Sequence, residues 1–232
     1  MAKRADSTTE PQVPLRKERI LQAAIALADE GGIESLTMRR LAAELGVEAM
    51  SLYNHVANKD DVLDGIIDLV VDEIDLPSGG EAWDVAIRQC AVSAHKAFLR
   101  HPWACSLVIS HTSPRMGPTP RLRYIEWLLR RLREAGFAPE LAYHAYHALD
   151  SHILGFTFWE LGHSAAAKAL DGSQNLADFA SSFFQTLPTG EFTYLAEHAQ
   201  QHIDPSTVRD IDEFAFGLEL ILDGLNRLRD TA

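Results

Sequence analysis

The chain has 232 residues, 47% of them hydrophobic, which is ample for a core in one or two domains. Its two cysteines, Cys90 and Cys105, exclude a disulfide framework and a four-cysteine metal site; no apolar run reaches a membrane span and no hydrophobic leader opens the chain, so a soluble cytoplasmic protein is expected. The net charge of −12 speaks against nucleic acid only until it is divided, because residues 1–60 hold 8 Lys+Arg and 9 Asp+Glu whereas residues 61–232 hold 13 and 24.

Residues 1–15 are polar with two prolines and are expected to form a disordered arm, where Lys3 and Arg4 could meet phosphates. A first helix is expected from Arg16 to Glu30, with Ile20, Ala24 and Leu27 inward and Gly31-Gly32 as its stop. Ile33 and Leu36 then close the connection onto a small core. Thr37 suits an N-cap. Behind it Met38, Leu41, Ala42 and Leu45 recur at i, i+3, i+4, i+7, one face of a two-turn helix. Gly46 permits the left-handed backbone of a sharp stop. A second short helix should run from Ala49 to His55, with Leu52 and Val56 inward. Helix, glycine turn and short helix together make a helix-turn-helix pattern, whose second helix fits a major groove.

The stretch from Thr37 to Asp64 resembles the DNA-binding region of the TetR family of bacterial transcriptional regulators. The shared pattern is L-T-x-R-x-L-A-x-x-L-G-V over Leu36–Val47, L-Y-x-H-V over Leu52–Val56, and a variant of N-K-x-x-L-L over Asn58–Leu63. FAFGLELILDGL (Phe214–Leu225) resembles the last helix of the tetracycline-repressor branch, and GFAPELAYHAYHAL resembles that branch's long core helix loosely. On groove geometry Ala49, Met50 and Ser51 would face bases, the first two through apolar contacts such as thymine methyls. Asn54 and His55 can donate to a base or phosphate, Thr37, Tyr53 and Lys59 suit phosphates, and Arg39 reaches either. The resemblance implies operator contact at each of these positions. Ala49, Met50 and Asn54 differ from the tetracycline repressor's residues, so its operator sequence is not carried over.

Asn58 should cap a fourth helix whose positive end Asp60 and Asp61 favour. Val62, Leu63, Ile66, Ile67, Val70 and Ile74 give it an apolar band too broad for one partner, which suits a lever between two domains. The break at Leu76–Gly80 places the boundary: a helix-turn-helix domain with connecting helix over 16–76 and a helical ligand-binding and dimerisation domain over 77–232. The rest reads as helices without a strand: Trp83–Arg100 (Val85, Ile87, Val92, Phe98 and Leu99 at helical spacing), a short apolar stretch Trp103–Ile109, a loop Ser110–Pro120, Arg121–Ala135 (Leu122, Ile125, Leu129 and Leu132 inward), Leu141–Leu161, Leu176–Thr186, Glu191–Ile203 and Ile211–Arg229. The fold class expected is therefore all-α.

In the last helix Ile211, Phe214, Leu218, Ile221, Leu225 and Leu228 follow a heptad seam, widened by Ala215, Leu220 and Leu222. It could be an ordinary core helix. A homodimer seam through Ile211, Phe214, Leu218, Ile221, Leu222 and Leu225 is the expectation, because a two-fold reading head needs a two-fold body; the resemblance implies pairing of this helix with the long core helix. Gly217 and Gly224, seven apart, suggest close approach of another backbone.

A small-molecule pocket in the second domain is implied by the resemblance, with Cys90, Phe98, Trp103, Leu128, Tyr146, His147 and Asp150 as its candidate lining. The tetracycline-holding histidine and asparagine of the repressor have no clear counterparts, since Cys90, Ala94 and Val108 fall near those places, so the effector is not named. His144, His147, Asp150 and His152 do not share one helix side, and no metal or cofactor is expected. HExxH, GxSxG, phosphate-loop and dinucleotide motifs are absent, so no enzyme is expected. The function expected is a repressor that binds a palindromic double-stranded DNA operator as a homodimer and is released by a small molecule. The alternative is a helical small-molecule-binding or metal-sensing protein, or an enzyme, that does not act on DNA.

Overall fold

The computed structural model describes residues 14–111, 117–170, 186, 191–203 and 212–231. Residues 1–13 of the arm expected over 1–15, most of the helix expected over 176–186 and the seam residue Ile211 lie outside them. Every element among the described residues is helical. In chain order they are α1 (Lys17–Gly31), a 3-10 turn (Ile33–Ser35), α2 (Met38–Leu45), α3 (Ala49–Leu52), α4 (Lys59–Asp72), α5 (Trp83–Arg100), α6 (Pro102–Ser110), α7 (Pro120–Glu134), α8 (Pro139–Leu170), α9 (Thr193–Ile203) and α10 (Glu213–Thr231). The chain divides into two compact units, Met1–Leu69 and Val70–Ala232, so α4 carries residues of both. No helix among the described residues is long and apolar enough to cross a membrane.

The first unit is built on α1, which buries Ile20, Leu21, Ala24, Ile25, Leu27 and Ala28. Leu36, Leu41, Ala42, Leu45, Leu52 and Val56 join them, followed by Val62, Ile66 and Ile67 of α4. Each fully buried aliphatic side chain contributes roughly 2 kcal/mol, which lets so small a unit hold together. Gly65 lets α4 lie close on α1, since a Cβ there would stand 2.6 Å from Leu21 Cδ2. The start of α4 is closed reciprocally: the Asp61 N–H donates to Asn58 Oδ1 (2.8 Å) and the Ala57 N–H donates to Asp61 Oδ2 (3.0 Å). Lys17 Nζ reaches the same carboxylate at 2.9 Å and ties α1 to this corner.

In the second unit α8 packs against α5, α6, α7 and α10. The inward face of α5 is made of small residues, Ala86, Cys90, Ala91, Ala94 and Ala97, with Ile87, His95 and Phe98. The larger Val85, Val92 and Leu99 of the sequence expectation are turned partly out; alanines win the buried face because they let two helix backbones approach. Likewise α7 buries Tyr124, Leu128 and Leu132, whereas Leu122 is exposed. Its rotation is set by polar ties on the flank: Trp127 Nε1 donates to the Pro77 carbonyl (3.0 Å), as does Arg131 Nη2 (2.5 Å). Gly136 (φ 92°) ends α7, with the Phe137 N–H returning to the Leu132 carbonyl at 3.2 Å.

The last helix corrects the seam. Phe214, Leu218, Leu222 and Leu225 are buried within their own protomer, so they are core residues and cannot form the surface of a dimer. The side of α10 that is left open carries Phe216, Leu220 and Leu228, each more than half exposed, with Ile221 half-buried between the two faces. A band wider than one partner can cover was legible in the sequence, but which half the protomer's own α5 and α8 would take was not. Gly217 is also explained differently: a Cβ there would meet His152 Cε1 at 2.5 Å, so the glycine makes room for a histidine ring of the same chain. The Nε2–H of that ring donates to the Phe214 carbonyl (2.9 Å), and the ring stacks on the Phe214 side chain.

Candidate nucleic-acid interface and ligand pocket

Thr37 Oγ1 accepts from the Arg40 N–H (3.1 Å) and caps α2, which leaves its own hydroxyl proton free to donate outward. Gly46 adopts the left-handed conformation (φ 69°, ψ 31°), and the Val47 N–H returns to the Ala42 carbonyl at 3.0 Å. The chain is thereby swung sharply into α3. The regular part of α3 is shorter than the sequence suggested, Ala49–Leu52 rather than Ala49–His55. Beyond it Asn54 and His55 continue as a turn, their N–H groups donating to Ser51 and Leu52 carbonyls three residues back. Leu52 and Val56 anchor this piece in the core.

What the anchoring leaves outside is the expected reading set. Met50 (73% exposed), Tyr53, Asn54, His55, Thr37, Arg39 and Lys59 are exposed, while Ala49 and Ser51 are half-buried. Donors suited to phosphate therefore flank an apolar Ala49–Met50 tip. Glu48 precedes that tip and makes no side-chain cap, so one exposed carboxylate stands beside the reading surface.

In the second unit Tyr146, Asp150 and Leu154 project from one side of α8 at i, i+4, i+8. They face Arg121, Tyr124 and Ile125 of α7, Phe98 of α5, Val108 of α6, Val71 of α4 and Ile74 just after it. The unfilled space between these ten side chains is about 20 Å³, room for a water. Asp150 is the acid of this lining. Tyr124 Oη donates to its Oδ1 (3.3 Å) and Tyr146 Oη to its Oδ2 (3.4 Å). Burial pushes the Asp150 carboxyl above the ordinary carboxylate range, against the opposing pull of the Tyr124 hydroxyl and the Arg121 charge. Burial also raises both tyrosines, with the Asp150 charge adding to it.

Of the seven pocket residues expected from sequence, Phe98, Tyr146 and Asp150 line this space. Cys90, Trp103 and Leu128 are buried in the core but do not line it. His147 does not line it either, for a helix-geometry reason: one residue past Tyr146 it is turned about 100° round α8, and it stands exposed with its ring against Tyr143. The Arg121–Tyr124–Ile125 wall and the α4 contribution were missed. Only the lone acid at Tyr146–Asp150–Leu154 spacing could have signalled them. Burial drives the Cys90 thiol up to about 12 and that of Cys105 up to about 11, which disfavours the thiolate of each. No group of three His, Cys, Asp or Glu side chains arranged to hold a metal occurs among the described residues.

Comparison with known proteins agrees with both units. Residues 20–66 match the family of bacterial regulatory proteins, tetR family, and residues 76–229 match the tetracyclin repressor-like C-terminal domain. The chain is 31% identical over 223 residues to the HTH-type transcriptional repressor DrrR1 of Streptomyces coeruleorubidus, covering 94% of this chain and 80% of that protein. It is 32% identical over 158 residues to the class D tetracycline repressor protein of Escherichia coli, covering 66% and 69%. Among solved structures, the TetR family protein ActR of Streptomyces coelicolor in complex with actinorhodin superposes with a TM-score of 0.73 at 30% identity, covering 94% of this chain and 99% of that one. This chain belongs to the TetR family and is a DNA-binding, ligand-responsive transcriptional regulator.

Proposed function

We propose that the chain acts as a homodimeric repressor, with Thr37, Tyr53 and Lys59 on operator phosphates and Met50, Ser51 and Asn54 setting base preference. Ala49, Arg39 and His55 complete the contact, and the two reading helices address successive major grooves about 34–36 Å apart on a palindromic site. The domains are divided for this purpose into 16–76, which reads DNA, and 77–232, which binds effector and dimerises, within a cytoplasmic protein. The open face of α10 (Phe216, Leu220, Leu228) supplies the surface for pairing with a second copy.

The observation that carries the mechanism concerns α4. Its residues up to Leu69 belong to the reading unit, while Val71 near its far end and Ile74 just beyond it help line a pocket that holds no more than a water. An organic ligand such as the actinorhodin held in complex by ActR cannot enter that space without pushing its walls apart. Binding is therefore coupled to displacement of the end of α4, and a ligand shifts an equilibrium by its differential affinity for the two states. The test is footprinting on the upstream region of the chain's own gene, then titration of candidate effectors against the footprint. Sequence-preferring protection that an effector relieves supports the mechanism. Lack of preference at low salt removes the repressor, and protection insensitive to every ligand that binds the pocket removes the switch.

A further inference from the structure

We infer that the effector of this protein carries a cationic nitrogen on an apolar body, with Asp150 as its counter-charge. This rests on the pocket's proposed role as the effector site. Seven of the ten lining side chains are Val71, Ile74, Phe98, Val108, Ile125, Leu154 and the ring of Tyr124, which offer an organic ligand apolar contact only. Asp150 lies among them, held by two phenol hydroxyls at 3.3 and 3.4 Å. Those are long bonds from neutral donors, and they compensate a half-buried carboxylate only in part. Burial has accordingly pushed its pKa upward.

Arg121 does not complete the pair. It is half-buried, as Asp150 is, and among the described residues no hydrogen bond joins the two. A cationic N–H entering between Tyr124, Tyr146 and Phe98 would give the carboxylate a charge-assisted bond and would lie against aromatic rings. An anion would meet the Asp150 carboxylate in the same space, with Arg121, which makes no hydrogen bond to Asp150, as the only cation of the lining. Acidity in the surroundings acts in the same sense: 24 Asp+Glu against 13 Lys+Arg over residues 61–232 draw cations toward this half of the chain.

Three planar probes of nearly equal size separate the cases: 9-aminoacridine (a cation at neutral pH), acridone (neutral) and acridine-9-carboxylate (anion). Binding to the full chain is measured by calorimetry in about 0.3 M salt, where screening over about 6 Å suppresses loose attraction to the acidic surface. The cation should bind about 10- to 100-fold more tightly than the neutral probe, the range of one charge-assisted hydrogen bond, and the anion weakest of all. Asp150→Asn should bring cation and neutral probe within a few-fold of each other. Equal affinities, preference for the anion, binding of none, or a cation preference that survives in folded Asp150→Asn each overturn the assignment. Val108→Trp, whose side chain overfills the space and blocks entry of a ligand, distinguishes the two failures. If cation binding is as tight in this variant, the probe sits elsewhere and the pocket itself has been misplaced. If Val108→Trp abolishes binding but the three probes rank alike, the pocket stands and only the cation is wrong. The wild-type ranking needs no variant, so a poorly folded mutant leaves the inference open to refutation.

Discussion

Gly217→Ala isolates the contact that fixes α10 on α8. The new Cβ would lie 2.5 Å from His152 Cε1, whereas carbon atoms rest at about 3.5–4.0 Å, so the ring must retreat by roughly 1 Å. That stretches the 2.9 Å bond from His152 to the Phe214 carbonyl beyond hydrogen-bonding range. Losing the bond costs about 0.5–1.5 kcal/mol and the overpacking about 1–3. Ala is better than Gly in a helix interior by about 1 kcal/mol, which offsets part of it. The net expectation is destabilisation by about 1–3 kcal/mol. With His152→Ala already in place the obstacle is gone, and the same Gly217→Ala change should stabilise by up to about 1 kcal/mol. Urea unfolding of the wild type, the two single variants and the double variant, at one fixed protein concentration, gives the cycle. A Gly217→Ala cost that is the same in both backgrounds would refute the account and move the crowding from His152 to some other neighbour, a second copy included.

Lys59→Ala should weaken binding to every operator alike and lower the slope of log affinity against log salt by about 1 per protomer contact, measured by fluorescence anisotropy; loss confined to one base position would place Lys59 on a base instead. Asn58→Ala removes the cap of α4 and should lower stability by about 1 kcal/mol in thermal melts, and an unchanged melting temperature would mean that the cap does not hold the helix start. Cys90 and Cys105 should resist a thiol reagent at pH 8 until the chain is unfolded in urea, because burial holds them up to about 12 and about 11; rapid labelling of the native protein would contradict their burial. Asp150 has its folded pKa raised above 3.8, so its ionised form weakens the fold at neutral pH. As pH falls through the raised value the folded state takes up the proton first, and the wild type gains stability relative to Asp150→Asn until 3.8 is passed. A stability difference between the two that stays flat over that window would mean the carboxyl is not buried as described.

The reading head was legible because its determinants are local. Thr37 caps by bonding three residues along, Gly46 is needed where the backbone turns left-handed, and the 3.6-residue period of Leu41, Ala42 and Leu45 is visible in a window of eight. The all-helical class, the cap at Asn58 and the positions of α5 and α10 followed from the same short-range rules. What failed was helix rotation. Residues along the sequence say that α7 and α10 each have a wide apolar side, but which stripe turns inward depends on partners distant in the chain. Tyr124 is drawn in by Asp150, Trp127 and Arg131 hold the flank at Pro77, and the alanine face of α5 admits α8 and leaves Phe214 and Leu218 to the protomer's own core. The pocket is composed from five helices, so no window of sequence contains it. Capping, turning and amphipathic period are decided within a few residues of chain, whereas the choice of buried stripe is a competition among side chains that only the folded arrangement brings into contact.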